Sequence, residues 1–179
     1  MKNNLYTQKG LWVDLMNIFL TGKPGSGKTR LMKKVLEELE GEVCGFFTPE
    51  IRENSERTGF RIKDIETGDK GLLASVDLDE GPSVSKYKVN LDDLDRFSKK
   101  VMDDMEDSEI IVIDEIGVME LYSDKFKEML NEALNSEKTV LATLHRNLVE
   151  EYDDQGKVIW VTRNSANDLK GKIVELANY

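Results

Sequence analysis

The sequence predicts an α/β fold, a mostly parallel central sheet flanked by helices and interrupted by an inserted antiparallel hairpin region. Three observations predict it. Asn17 to Thr21 (Asn-Ile-Phe-Leu-Thr) has the length and β-propensity of a buried strand, and it runs into a glycine-rich loop followed by apolar residues at helical spacing. Ile110-Ile111-Val112-Ile113 is β-branched throughout and apolar on both faces, the pattern of a central strand in a parallel sheet. Between these two, Pro49 to Ser75 alternates short apolar-containing runs with turn residues, as antiparallel hairpins do.

The chain has 179 residues, enough for one domain with a sizeable core and too few for two ordinary ones. It reads as an N-terminal extension over residues 1–15 and a single domain over 16–179, with the hairpin insertion at about 49–90. Met16 stands directly before the first strand. Two readings of the extension stay open: Met16 is the natural start, so that deleting residues 1–15 leaves stability intact, or Leu11, Trp12, Val13 and Leu15 add an element packed on the domain.

After the glycine-rich loop, Leu31, Met32, Val35, Leu36 and Leu39 mark one face of a helix, with Gly41 placed as its C-cap. Val43 to Thr48 reads as the next buried strand. In the insertion, Asn54-Ser55-Glu56 and Thr67-Gly68-Asp69 are turns, Gly81-Pro82-Ser83 is a loop, and Lys86 to Val89 is a short strand. Asn90 caps a helix carrying Leu91, Leu94, Phe97, Val101 and Met105 on one side, with acidic residues near its start. The strand Ile110 to Ile113 ends in Asp114-Glu115. Ser123 then caps a helix with Phe126, Met129, Leu130, Ala133 and Leu134 inward, Thr139 to Leu144 is a strand, and the unit repeats as strand Val158 to Thr162 and a helix reaching Ala177.

The chemistry sits at two loops. Gly22-Lys23-Pro24-Gly25-Ser26-Gly27-Lys28-Thr29 fits Gly-x-x-x-x-Gly-Lys-Thr between a strand and a helix. Glycines let backbone N–H groups converge on phosphates, and the helix N-terminus adds partial positive charge. Lys28 reaches the β- and γ-phosphates, and the Thr29 hydroxyl is a hard ligand for Mg²⁺. A carboxylate at the C-terminal end of a parallel strand faces the ligand of an open α/β sheet, which assigns Asp114 to the metal and Glu115 to activating a water aimed at the γ-phosphorus. Arg146 follows the strand Thr139 to Leu144. It is either a group that neutralises transition-state charge or a surface arginine opening the next helix. Thr143 senses the γ-phosphate or packs in its strand, and His145 is expected to be structural or peripheral. Glu50, Arg52 and Arg57 read as a salt-bridged surface ribbon rather than a lid. Asp92, Asp93, Asp103 and Asp104 read as solvated helix faces.

Five blocks in order carry a family resemblance: the loop above, Gly45-Phe46-Phe47-Thr48-Pro49-Glu50-Ile51-Arg52, Arg57-Thr58-Gly59-Phe60, Asp114-Glu115-Ile116-Gly117-Val118-Met119-Glu120-Leu121, and Thr143-Leu144-His145-Arg146. Together they resemble the THEP1 family of nucleoside-triphosphatases from about Met16 to the C-terminus, with the Asp-Glu-Ile-Gly-x-Met-Glu block the most discriminating. The resemblance implies a P-loop NTPase fold and Mg²⁺-dependent hydrolysis of ATP, GTP and other nucleoside triphosphates with little base preference. The chain departs from the family at Asn164-Ser165-Ala166-Asn167-Asp168, where members carry Asn-Arg-Asp. The arginine is absent at Ala166, and Arg163 is its nearest substitute.

Composition narrows the partners. A formal net charge of −10 opposes general nucleic-acid or anionic-membrane binding. Cys44 is the single cysteine, so no intrachain disulfide or cysteine-rich zinc site forms, and a cytoplasmic setting is expected. No run is long enough to span a membrane. Nucleoside triphosphates are the expected ligands, and no protein partner is specified. Phosphotransfer to a nucleoside, nucleotide or RNA hydroxyl, and a nucleotide-gated partner-binding module, are the alternatives the same motifs leave open.

Overall fold

The computed structural model describes residues 17–178, and both readings of the N-terminal extension lie outside them. Asn17–Thr21 forms β1 and Lys28–Leu36 forms α1. Val43–Phe47 is β2, and the insertion follows as β3 (Glu50–Glu53), β4 (Glu56–Asp64), β5 (Lys70–Ser75), β6 (Ser83–Val84) and β7 (Tyr87–Val89). Then come α2 (Leu91–Asp104), β8 (Ile110–Ile116), α3 (Asp124–Asn135), β9 (Thr139–Leu144), α4 (Val149–Tyr152), β10 (Lys157–Trp160) and α5 (Ala166–Ala177). Among the described residues no helix is long and apolar enough to cross a membrane.

All ten strands join one sheet in the order β10-β1-β9-β8-β2-β4-β5-β7-β6, with β3 paired to β4. The first five are mutually parallel, and the hairpin strands continue them antiparallel. Successive side chains on a strand point to opposite faces, and the apolar runs fill both. Ile18, Leu20, Ile110 and Val112 pack with Leu31, Met32, Val35 and Ile173 beneath α1 and α5. Phe19, Ile111 and Ile113 pack with Phe97, Val101, Phe126 and Met129 beneath α2 and α3. Each such fully buried side chain contributes about 1.5–3 kcal/mol of transfer free energy.

Local chemistry sets the element ends. The Asn90 side chain accepts from Asp93 N–H at 3.2 Å and that of Ser123 from Phe126 N–H at 2.8 Å, so both predicted caps form. Asn54 and Ser55 have φ of 46° and 70°, the left-handed pair that a two-residue hairpin needs between β3 and β4.

Five expectations are corrected. Helix α1 stops at Leu36 with Glu37 as its cap, so Gly41 is not the C-cap. Leu39 still packs on the core from the irregular segment after the helix and its closing turn, so its apolar spacing reports burial and not helix. Strand β8 runs through Asp114 and Glu115 to Ile116, and β10 covers Lys157–Trp160 rather than 158–162. Ser83–Val84 is a strand. Asp93 is half-buried and does more than face solvent: its carboxylate accepts from Leu72 N–H at 2.8 Å and pairs with Arg96 at 3.1 Å, fastening α2 to β5.

Gly45 is demanded by its neighbours. Its φ is +124°, and a Cβ there would stand 1.9 Å from the Val112 carbonyl oxygen of β8. Gly45→Ala is therefore expected to cost more than about 4 kcal/mol, the range of severe backbone strain and overpacking. A thermal melt checks this, and a transition within a few degrees of the parent would contradict it.

Candidate active site

The carboxyl ends of β1, β8 and β9 meet at one edge of the sheet, where an open parallel sheet presents its ligand site. Thr21 ends β1, and its hydroxyl donates to Leu144 O at 2.9 Å, latching β1 to the end of β9. The glycine loop then turns back on itself through Ser26 N–H donating to Lys23 O at 3.1 Å. Gly22 is required there, because its φ is +146° and a Cβ would lie 2.4 Å from Val161 O. Gly27, with φ of 97°, hands the chain to α1, whose first turn has no side-chain cap. Its free N–H groups are thus available to an anion. The Ser26 hydroxyl is buried without a hydrogen-bond partner, an orphan of the kind a ligand or water satisfies. Lys28 Nζ donates to Gly22 O at 3.4 Å.

Asp114 joins three elements. The Thr29 hydroxyl of α1 lies 3.1 and 3.0 Å from its two carboxylate oxygens, and the Thr143 hydroxyl of β9 donates to Oδ1 at 2.6 Å. Burial pushes the Asp114 carboxyl above its ordinary range, and the bonds from Thr143 and Thr29 pull it back. The Asp114–Glu115 peptide is cis. Burial also raises Glu115; Lys28 opposes the rise and Asp114 adds to it. His145 is lowered, first by burial and then by Arg146 and Lys28, and its Nδ1 accepts from Asn147 N–H at 3.4 Å.

These groups border one cavity of about 610 Å³, within the size range of small-molecule sites. Gly22, Pro24, Gly25, Gly27, Lys28, Thr29, Asp114, Glu115 and Arg146 all line it, as does His145. Two loop residues do not: Lys23 is exposed to solvent, and Ser26 is buried. Arg163 stands beside the loop, its guanidinium 3.9 Å from where a Cβ on Gly25 would lie. The insertion supplies a further wall through Glu50, Arg57, Phe60, Leu73 and Val84. Glu50 pairs with Arg52 at 2.7 Å and with Arg57 at 2.9 Å. The salt-bridged ribbon therefore forms, and it also borders the site. Sequence reasoning assigned no role to Glu120, which is 5 % exposed and lines the same cavity. Its position five residues after Glu115 on an otherwise apolar run was the available signal.

A glycine loop that opens a helix, a strand-end carboxylate tied to the loop threonine, and a second acid beside it define the class: a P-loop nucleotide-binding protein. A family model described as NTPase matches residues 17–174. The chain is 40 % identical to the nucleoside-triphosphatase THEP1 of Methanocaldococcus jannaschii over 163 residues, which is 89 % of this chain and 95 % of the relative. It is 40 % identical to that of Pyrococcus abyssi over 164 residues, 89 % of this chain and 90 % of the relative. Among solved structures, THEP1 from Aquifex aeolicus matches with a TM-score of 0.73 at 32 % identity, covering 92 % of this chain and all of the other. A human cancer-related nucleoside triphosphatase matches with a TM-score of 0.73 at 33 % identity over 89 % and 96 % of the two chains. The chain belongs to the NTPase family.

Proposed function

We propose that the protein hydrolyses nucleoside triphosphates to the diphosphate and phosphate, that it requires Mg²⁺, and that it tolerates all the common bases. The observation that carries this reading is the Thr29–Asp114 pair at 3.0 and 3.1 Å, with Glu115 in the same cavity. A hydroxyl and a carboxylate are hard oxygen donors, which suit Mg²⁺. Among the described residues no three His, Cys, Asp or Glu side chains are grouped as a ligand set. Thr29 and Asp114 would thus hold the ion, with its remaining oxygens from phosphate and water. When bound, it supplies neutralisation of charge on the β- and γ-phosphate oxygens.

The remaining work belongs to the chain. Backbone N–H groups from Gly25 to Thr29 bind the phosphates at the N-terminus of α1. Lys28 leaves the Gly22 carbonyl for the β- and γ-oxygens. Glu115 takes a proton from a water in line with the γ-phosphorus, and its raised pKa moves it toward the range of an effective base at neutral pH. Arg146, on the cavity wall, offsets charge that develops on the γ-phosphoryl group.

The contacts assigned above are to phosphate and metal, and none of them reads a base. ATP, GTP, CTP and UTP are expected to release phosphate with kcat/KM values within about tenfold of one another. Phosphate release from the four, with Mg²⁺ and with a chelator, tests the proposal. Activity that survives chelation contradicts the metal assignment. A thousandfold preference, about 4 kcal/mol, contradicts the base tolerance. A second reading, phosphotransfer to a hydroxyl, is favoured by one observation: the cavity continues past Asp114 and Glu115 to Phe60, Leu73 and Val84 of the insertion. Running the assay with added ribonucleosides separates the two, since only phosphotransfer gives a phosphorylated acceptor.

A further inference from the structure

Strand β8 ends at Ile116, and the chain turns through Gly117 into a 3-10 turn at Glu120–Tyr122. The Glu120 side chain folds back from that turn toward the strand it has just left. Its Oε2 lies 2.8 Å from the position a Cβ on Gly117 would take, and Glu115 Oε1 lies 3.7 Å from the same point. The two carboxyl groups thus border one glycine, and both line the cavity. Among the described residues Glu120 enters no ion pair.

The surroundings oppose a negative charge on Glu120. Glu115 and Asp114 of β8 face it as like charges, and the N–H groups of Glu120 and Gly117 are the donors turned toward it. The other charged groups of the cavity are Lys28 and Arg30 from α1, Glu50 and Arg57 from the hairpins, and His145 and Arg146 after β9. Burial first, then the Glu115 and Asp114 carboxylates, raise the Glu120 pKa from 4.5 to about 8. A carboxylic acid kept neutral in this way is a hydrogen-bond donor.

We propose that Glu120 donates a hydrogen bond to the Glu115 carboxylate and so acts as a positioning residue, aiming Glu115 at the attacking water. The inference rests on the role given to Glu115 above. Small displacements of a catalytic group are costly, of the order of 10²-fold for about 1 Å.

Glu120→Gln and Glu120→Ala test this, because glutamine keeps the shape and a donor while removing the titration. The measurements are kcat and KM for ATP hydrolysis from pH 6 to 10, and thermal melts of the nucleotide-free proteins over pH 4 to 10. The expected result is that Glu120→Gln retains kcat within about threefold and loses the decline of the parent above about pH 8, whereas Glu120→Ala loses about 10- to 100-fold in kcat with KM little changed. The melts report independently of turnover. A folded pKa raised above 4.5 gives stability that is full below pH 4.5 and is lost as pH rises through about 8. The parent should therefore lose several degrees across that window relative to Glu120→Gln.

Equal kcat losses in both variants, an unchanged alkaline decline in Glu120→Gln, or parallel melting profiles would each overturn the proposal. If Glu120→Ala fails to fold, the Glu120→Gln profile decides alone. A parent that releases no phosphate but shows the melting difference defeats the hydrolase reading and leaves Glu120 as the neutral donor.

Discussion

Glu115→Gln leaves nucleotide bound and stops its hydrolysis. Glutamine keeps the length of the side chain while removing its ability to take a proton, and Asp114, Thr29 and the glycine loop are untouched. General-base catalysis contributes about 10² to 10⁴-fold, so kcat should fall by that factor. The dissociation constant of an ATP analogue should stay within about threefold, because the lost interaction exists only in the transition state. The pH profile carries a second signature. Glu115 is raised by burial, and a base works only when ionised, so the activity of the parent falls as the solution is acidified through that pKa. A Glu115→Gln variant that turns over normally, alongside a phosphorylated ribonucleoside acceptor, would replace the hydrolase reading with phosphotransfer.

Lys28→Ala, by contrast, loses both binding and turnover while keeping the fold. The ammonium group is half-buried at the start of α1 and donates to Gly22 O at 3.4 Å. No core residue depends on it. Removing a cation directed at charge that builds in the transition state costs of the order of 10³-fold. Calorimetry should show weaker triphosphate binding, phosphate release should drop below detection, and the circular-dichroism spectrum should match that of the parent. Loss of that spectrum would mean that Lys28 holds the loop together rather than the ligand.

Much of this site was legible because its parts are local in sequence. The glycine spacing, the strand before it and the helix after it lie within Asn17–Leu36, and the acid pair ends a run whose β-branched residues announce a buried strand. The less legible features depend on partners far along the chain. Asp93 resembles any acid on a helix face until Leu72 N–H is brought to it by the pairing of β5. Asp64, at the end of β4, is 2 % exposed and faces Lys100 of α2 at 3.5 Å, a burial that depends on a helix far along the chain. Apolar spacing overruns the end of α1 because it reports burial, and Leu39 is held on the core by irregular chain as well as a helix would hold it. For Glu120 the motif supplies the residue, while its burial and its closeness to Glu115 follow from the turn geometry after Gly117, which residue spacing does not encode.

The join between β2 and the insertion has a mechanical consequence. Strand β2 is parallel to β8 on one side and antiparallel to β4 on the other, through Phe46↔Asp64 and Phe47↔Lys63. The Ile65 N–H donates to Gly45 O at 3.0 Å, next to that seam. Leu73 of β5 and Phe97 of α2 share a core with Phe46. Swinging the insertion away from the site as a rigid flap would tear backbone hydrogen bonds from the middle of a continuous sheet and expose that shared core at once. The insertion is therefore a fixed wall. A wall fixed in this way gives the cavity a mouth of set width, without the opening stroke of a hinged lid.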